Sequence, residues 1–327
     1  MTAVRCLECG TEIAPGLLSC PSCARLVHSD KLRDLARTAG DAQRSGKWTD
    51  ALAAWREAVT YLPVGTRQRE AAEAKIRELS AHVDAGGDTK GQPWWKRAAA
   101  LGPVGVLAAI LGKAKFLLLG FTKLGTVLSF AVGLSVYWAL WGWKFAACFL
   151  LSIYVHEMGH VAALQRFGIP ASAPTFIPGL GAFVRLKQHP ASAREDARVG
   201  LAGPVWGLCA SLFALALYAW TGNALWAAVA RAGAWLNLFN LIPVWQLDGS
   251  RGIRSLNRMQ VWMLAVLSAA MWMAVEDGML VLLTLALAFR AYTKRDDPEP
   301  DWTGLLQFSG LIVTLSLLCL IPMPHGK

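Results

Sequence analysis

Two patterns divide the chain. Up to about residue 97, apolar and polar residues alternate at helical spacing in short stretches; from Ala98 onward, apolar runs follow one another with brief polar breaks. A run of about 20 apolar residues is long enough to cross the hydrocarbon core of a bilayer as a helix. Such runs predict spans over about 124–142, 145–166, 199–220, 226–247, 259–275, 278–292 and 303–322, the sixth of them short. The run 98–112 has 15 residues and contains Pro103, so it is expected to lie at the interface or to re-enter. The fold class that follows is mainly α: a polytopic helical membrane protein with about seven spans and a polar N-terminal head.

Composition agrees with that division. Of 327 residues, 55% are hydrophobic and only 17% charged. That excludes intrinsic disorder, a nucleic-acid-coating protein and an ordinary cytosolic enzyme. The net charge of +10 falls unevenly: the first 97 residues carry 15 Lys and Arg against 12 Asp and Glu, the rest 17 against 10. Basic residues between apolar runs set topology. With a cytosolic N-terminus, the inside loops hold Arg166, Arg185, Lys187, Arg194 and Arg198, then Arg251, Arg254 and Arg258, then Arg290, Lys294 and Arg295. The outside turns hold Lys144, Thr221-Gly222-Asn223 and Glu276-Asp277. This asymmetry predicts an integral protein of the cytoplasmic (inner) membrane with its N-terminus in the cytosol. No nucleic-acid partner is needed to explain the charge. Residues 1–10 contain no apolar signal-peptide core, so no cleavable signal is expected.

The head opens on two matched pairs, Cys6-Leu7-Glu8-Cys9 and Cys20-Pro21-Ser22-Cys23. Four thiolates in two C-x-x-C knuckles close a tetrahedral site with no open position. Residues 1–29 are therefore expected to form a small zinc ribbon whose ion is structural. Cys148, Cys209 and Cys319 fall in apolar runs, where a cysteine packs as a small hydrophobe, and nothing indicates disulfides. Residues 30–84 follow as a helical segment. Ala39, Gly46, Trp48, Ala51, Trp55, Ala58 and Pro63 fall in the order of a tetratricopeptide repeat, with small residues where two helices meet and proline ending the second. A plain helical hairpin is the other reading, since one repeat is fewer than such arrays need. Residues 85–97 form a linker ending in Trp94-Trp95-Lys96-Arg97, an interfacial anchor, and 98–142 hold the interfacial segment and the first span.

The second span carries His156-Glu157-Met158-Gly159-His160. Histidines at i and i+4 share a helix face and can bind one metal ion, with the intervening glutamate beside the open position. Ionisable groups are costly inside a bilayer without a partner or a polar cavity, so a chance match is a poor explanation here. Two ligands leave a hydrolytic zinc site incomplete, because three protein ligands and a water are the rule. The other acid in the apolar core is Asp248, closing the fourth span in Asn240-Leu241-Ile242-Pro243-Val244-Trp245-Gln246-Leu247-Asp248-Gly249. Both spans run toward the inside, so His156, His160 and Asp248 are expected on the cytosolic half. Glu157 and Asp248 are expected to be the only acids within the catalytic spans. Pro243 breaks the helical ladder, and Gly249 permits a sharp exit.

Together, the H-E-x-x-H stretch and the N-x-x-P-x-x-x-L-D-G element two spans later resemble the site-2 protease family of intramembrane zinc metalloproteases, over about residues 115–258. The resemblance implies a metalloprotease core over 143–258 (three spans and a β-hairpin loop) followed by C-terminal spans over 259–327. It implies one catalytic Zn2+ held by His156, His160 and Asp248, beside the structural Zn2+ expected at Cys6, Cys9, Cys20 and Cys23. Glu157 is then the general base, and Asn240 hydrogen-bonds the substrate backbone or the developing oxyanion. Leu201-Ala202-Gly203-Pro204 is similar to the family's Gly-Pro element. Residues 176–186 resemble its membrane-associated β-hairpin, whose Gly181, Phe183 and Val184 would pair with an unwound substrate segment. Two features depart from the family. Val205-Trp206-Gly207 stands where many members have an asparagine shortly after Gly-Pro, and the loops are too short for a PDZ-like insert.

The implied activity is hydrolysis of peptide bonds in transmembrane segments of membrane proteins, as in regulated intramembrane proteolysis. Its surroundings are the lipid bilayer, with a protein partner for the head. A non-proteolytic membrane adaptor working through the ribbon and helical head would have no use for Glu157. A transporter would spread its ionisable groups along a path rather than gather them at one point.

Overall fold

The computed structural model describes residues 4–86, 124–170, 175–177, 181–183 and 188–322. The run 98–112, the anchor at 94–97 and most of the linker lie outside those residues. The chain forms two compact units, Met1–Ala100 with Arg166–Ile169, and Leu101–Gln165 with Pro170–Lys327.

In the first unit, β1 (Val4–Arg5) and β2 (Glu12–Ile13) pair antiparallel, Arg5 opposite Glu12. Helices α1 (Ser29–Arg44), α2 (Trp48–Val59) and α3 (Arg67–Asp84) follow, where the helical spacing puts them. Ala39 packs with Leu35, Ala54 and Ala58, small side chains that let α1 and α2 approach closely. Gly46 takes a left-handed conformation (φ +72°) between the two helices. Thr66 caps α3 by accepting from the Arg69 N–H. Residues 166–169 complete this unit. The Arg56 Nε–H donates to the Phe167 carbonyl at 2.7 Å, and Phe167 and Ile169 are buried.

The second unit is a helical bundle. Its elements are α4 (Leu124–Trp141), α5 (Trp143–Arg166, bar its last residue), β3 (Thr175–Ile177), β4 (Gly181–Phe183) and α6 (Ala193–Thr221). Then come α7 (Ala224–Asn240), the short α8 (Asp248–Gly252), α9 (Arg258–Val275), α10 (Gly278–Thr293) and α11 (Trp302–Cys319). Helices α5, α6, α9 and α11 are long and apolar enough to cross a membrane, whereas Val127–Trp141 and Gly278–Thr293 are apolar but shorter. Lipid is as apolar as leucine, so helices in a bilayer associate through close packing and small residues. Leu238, Leu264, Leu280, Leu283, Phe308 and Ile312 are buried in one cluster contributed by α7, α9, α10 and α11. Phe213, Trp220, Val266, Leu285, Phe289 and Leu306 face outward. The left-handed residues Gly142, Gly222 and Glu276 end α4, α6 and α9 at the turns the sequence assigns to the outside.

Three expectations change. The fourth run does not stay helical to 247: α7 ends at Asn240, because Pro243 offers no N–H and disfavours helix at Ile242. Asp248 thus opens α8 instead of closing a span. Gly249 lies against the Leu241 carbonyl, where a Cβ would collide, and the left-handed residue of this loop is Trp245, at φ +52°. Helix α6 starts six residues before the predicted span, with Ser192 accepting from the Glu195 N–H at 3.1 Å. Glu195 and Asp196 therefore join Glu157 and Asp248 as acids of the core helices, and both are buried.

Candidate metal centre

Helix α5 carries His156 and His160 without interruption, so the two imidazoles share a face. Their Nε2 atoms lie 3.2 Å apart. Asp248 brings Oδ2 to 3.0 Å from His156 Nε2 and Oδ1 to 3.2 Å from His160 Nε2. Nitrogen and oxygen donors placed tetrahedrally at about 2.0–2.1 Å from zinc stand roughly 3.3 Å from one another. The two nitrogens and the carboxylate therefore fit one zinc ion. Behind them, His156 Nδ1 is 2.7 Å from Asn237 Oδ1, and His160 Nδ1 is 2.8 Å from the Val199 carbonyl. A backbone carbonyl only accepts, so His160 carries its hydrogen on Nδ1 and leaves a lone pair on Nε2, as a ligand needs. Glu157, 6% exposed, follows His156 about 100° around the helix.

Residues 144–224 match the model of peptidase family M50. M50 is the site-2 protease family, and its proteases use zinc. The matched stretch takes in α5 with His156, Glu157 and His160, the β3–β4 hairpin and α6 with Gly203-Pro204. Asp248 and Asn240 fall downstream of the M50 match and join it through geometry alone. No curated protein matches the chain. The match over 144–224, the apolar helices and the convergent donors support a membrane metalloprotease kind of function.

The M50 segment is shaped around the donors. A Cβ at Gly203 would run into both the His160 and the His156 imidazole, so α6 can lie over the ligands only with glycine there. Asp248 is held from its own side. Asp196 of α6 accepts from Arg251 Nε and from Arg254 Nη1, each at 2.8 Å, which fastens α8 about one turn beyond Asp248. Farther along the same edge, Arg198 makes two hydrogen bonds, at 2.9 and 2.8 Å, to the carboxylate of Asp301, the N-cap of α11.

The first unit holds a second donor group. The Sγ atoms of Cys6, Cys9, Cys20 and Cys23 all lie within 4.8 Å of one another, with Cys9–Cys20 at 3.5 Å and Cys6–Cys23 at 3.6 Å. Thiolates at about 2.3 Å from a tetrahedral zinc stand roughly 3.8 Å apart, so this cluster also fits one ion. The Thr11 hydroxyl and backbone N–H beside Cys9 bring its thiol down to about 6, so a thiolate is present near neutral pH.

The remaining sequence-predicted residues divide. Asn240 Nδ2 stands 3.4 Å from His156 Nε2, on the ligand side of the ring. Gly181 and Phe183 lie on β4 opposite Ile177 and Thr175 of β3, and Val184 lies outside the described residues. Two contributors are absent from the sequence reading. Asn237 sits one turn before Asn240 in the same apolar run, a polar exception that the eye passes over beside the motif. Asp196 lies in the polar first turn of α6, which carries no hydropathy signal. At Val205-Trp206-Gly207, which departs from the family pattern, Gly207 leaves room for the Asn237 amide.

Proposed function

We propose that this protein is an intramembrane zinc endopeptidase that hydrolyses peptide bonds within transmembrane segments of membrane-protein substrates, serving regulated intramembrane proteolysis. The observation that carries this reading is the convergence of His156, His160 and Asp248 on one point beside the buried Glu157. His156, His160 and Asp248 would hold a zinc ion, whose Lewis acidity would lower the pKa of a water and polarise the scissile carbonyl. Glu157 takes the proton of the attacking water and returns it to the leaving amine as the C–N bond breaks. Asn240 Nδ2, close to the same point, donates to the carbonyl oxygen as it gains charge. A helical substrate keeps its carbonyls in its own hydrogen bonds, so it unwinds before attack. The β4 strand, with Gly181, Phe183 and Val184, then pairs with the extended segment by strand addition.

The basic residues that the sequence assigns to the inside loops support a cytosolic N-terminus in the cytoplasmic membrane. On this reading the four-cysteine ribbon, with its structural zinc, and the tetratricopeptide-like helices α1–α3 form a head that binds a protein partner. The test compares purified full-length chains. Glu157→Gln is expected to keep the intramembrane ion and to cleave nothing, whereas Asp248→Ala loses the ion itself. A Glu157→Gln chain that still cleaves would sink the assignment.

A further inference from the structure

We propose that Asn237 is a positioning residue that fixes the tautomer of His156 and thereby sets the metal affinity of the centre. This rests on the metal-centre reading given above. The hydrogen bonds around Asn237 allow one arrangement of hydrogens. The Gly233 carbonyl, 2.7 Å from Nδ2, can only accept, so the amide turns its NH2 toward it. Oδ1 then faces His156 Nδ1 at 2.7 Å, and an amide oxygen only accepts. Nδ1 therefore carries the hydrogen, and the lone pair stands on Nε2, the atom 3.0 Å from Asp248 Oδ2. In the other neutral tautomer His156 would aim an N–H at the metal position and could not ligate.

Two further features single Asn237 out. Its side chain is 1% exposed inside an apolar bundle, where an amide is costly unless its groups are matched, and here both ends are. The fold also makes room for it, since a Cβ at Gly207 of α6 would occupy the position of the Asn237 amide. The partner histidine differs. His160 takes its Nδ1 acceptor from the Val199 backbone, which no side-chain substitution removes. Of the two imidazoles, His156 is the one whose ligating state depends on a replaceable side chain.

Full-length chain in detergent provides the test. Bound zinc is titrated against a chelator in wild type, Asn237→Ala, Asn237→Asp and Gly207→Ala. A His156→Ala/His160→Ala chain serves as the reference that holds only the ribbon ion. Asn237→Ala is expected to release the intramembrane ion with about 10–100-fold weaker affinity. Asn237→Asp keeps an acceptor for His156 Nδ1–H and is expected to release it at the wild-type chelator midpoint. Gly207→Ala, which pushes the amide aside without removing it, is expected to weaken binding as Asn237→Ala does. Asn237 and Gly207 variants that all hold the ion like wild type would overturn the proposal. So would equal losses in Asn237→Ala and Asn237→Asp, the mark of a merely structural amide, because aspartate cannot donate to the Gly233 carbonyl. If the double-histidine chain holds as much zinc as wild type, the metal-centre reading itself fails.

Discussion

One methyl group is enough to disturb the metal centre at Gly203, where a Cβ would meet both imidazoles. Gly203→Ala is expected to cost the intramembrane ion while the four-cysteine cluster stays loaded. Zinc counted per purified chain should fall by the share that the His156→Ala/His160→Ala chain also lacks. An unchanged count would mean that α6 does not press on the ligands. The pairing of His156 and His160 on one face of α5 was legible in the sequence because i and i+4 spacing is a local property of one helix. Asp248 was legible for another reason, as an acid stranded in an apolar stretch. Asn237 and Gly207 were not, since their roles depend on two helices meeting at that depth, which no spacing within either helix records.

At the scale of elements, the site depends on how α8 is fastened to α6. Asp196 is buried and serves both Arg251 and Arg254. Asp196→Asn leaves the partly buried Arg251 and the exposed Arg254 without their carboxylate, a loss screened by solvent at Arg254 and so below the about 3–5 kcal/mol of a fully buried pair. A lowered thermal midpoint and weaker zinc retention are expected together, since α8 begins with a ligand. Loss of stability with zinc retention intact would separate the clamp from the metal centre.

Asp301, which joins α11 to α6, gives a pH dependence. Burial alone would raise its carboxyl, but the Arg198 guanidinium and the Gly304 N–H hold it below the usual carboxylate range. A depressed folded-state value stabilises the chain above the unfolded value, near about 3.9. That stabilisation is lost as pH falls through the folded value. Thermal midpoints of the detergent-solubilised protein should therefore drop below about pH 4, and Asp301→Asn should flatten that drop. The limits of α6 and α7 escaped the sequence for related reasons. The polar first turn of α6 looks like loop until its Ser192 cap is seen, and the apolar residues past Asn240 look like span although Pro243 stops the helix.

Across the whole molecule, the helices α4–α7 and α9–α11 correspond one for one to the seven apolar runs of the sequence. Among the described residues, four of these helices, α5, α6, α9 and α11, are long and apolar enough to cross a membrane, where backbone groups must be satisfied within the segment. Hydropathy did not show that residues 166–169, directly after the histidine-bearing helix, pack in the first unit under Arg56. That association is non-local and polar, and an arginine in a helical repeat gives no sign of it. On the proposed function, the chain cleaves membrane-spanning substrates with Glu157 as the base. The most direct test compares the membrane proteomes of cells carrying wild-type protein or Glu157→Gln, with fragment termini mapped. A single-span protein is expected to accumulate intact only in the mutant, with its wild-type fragment ending inside the span. Identical proteomes, or the same fragment in both cells, would contradict the proposed function.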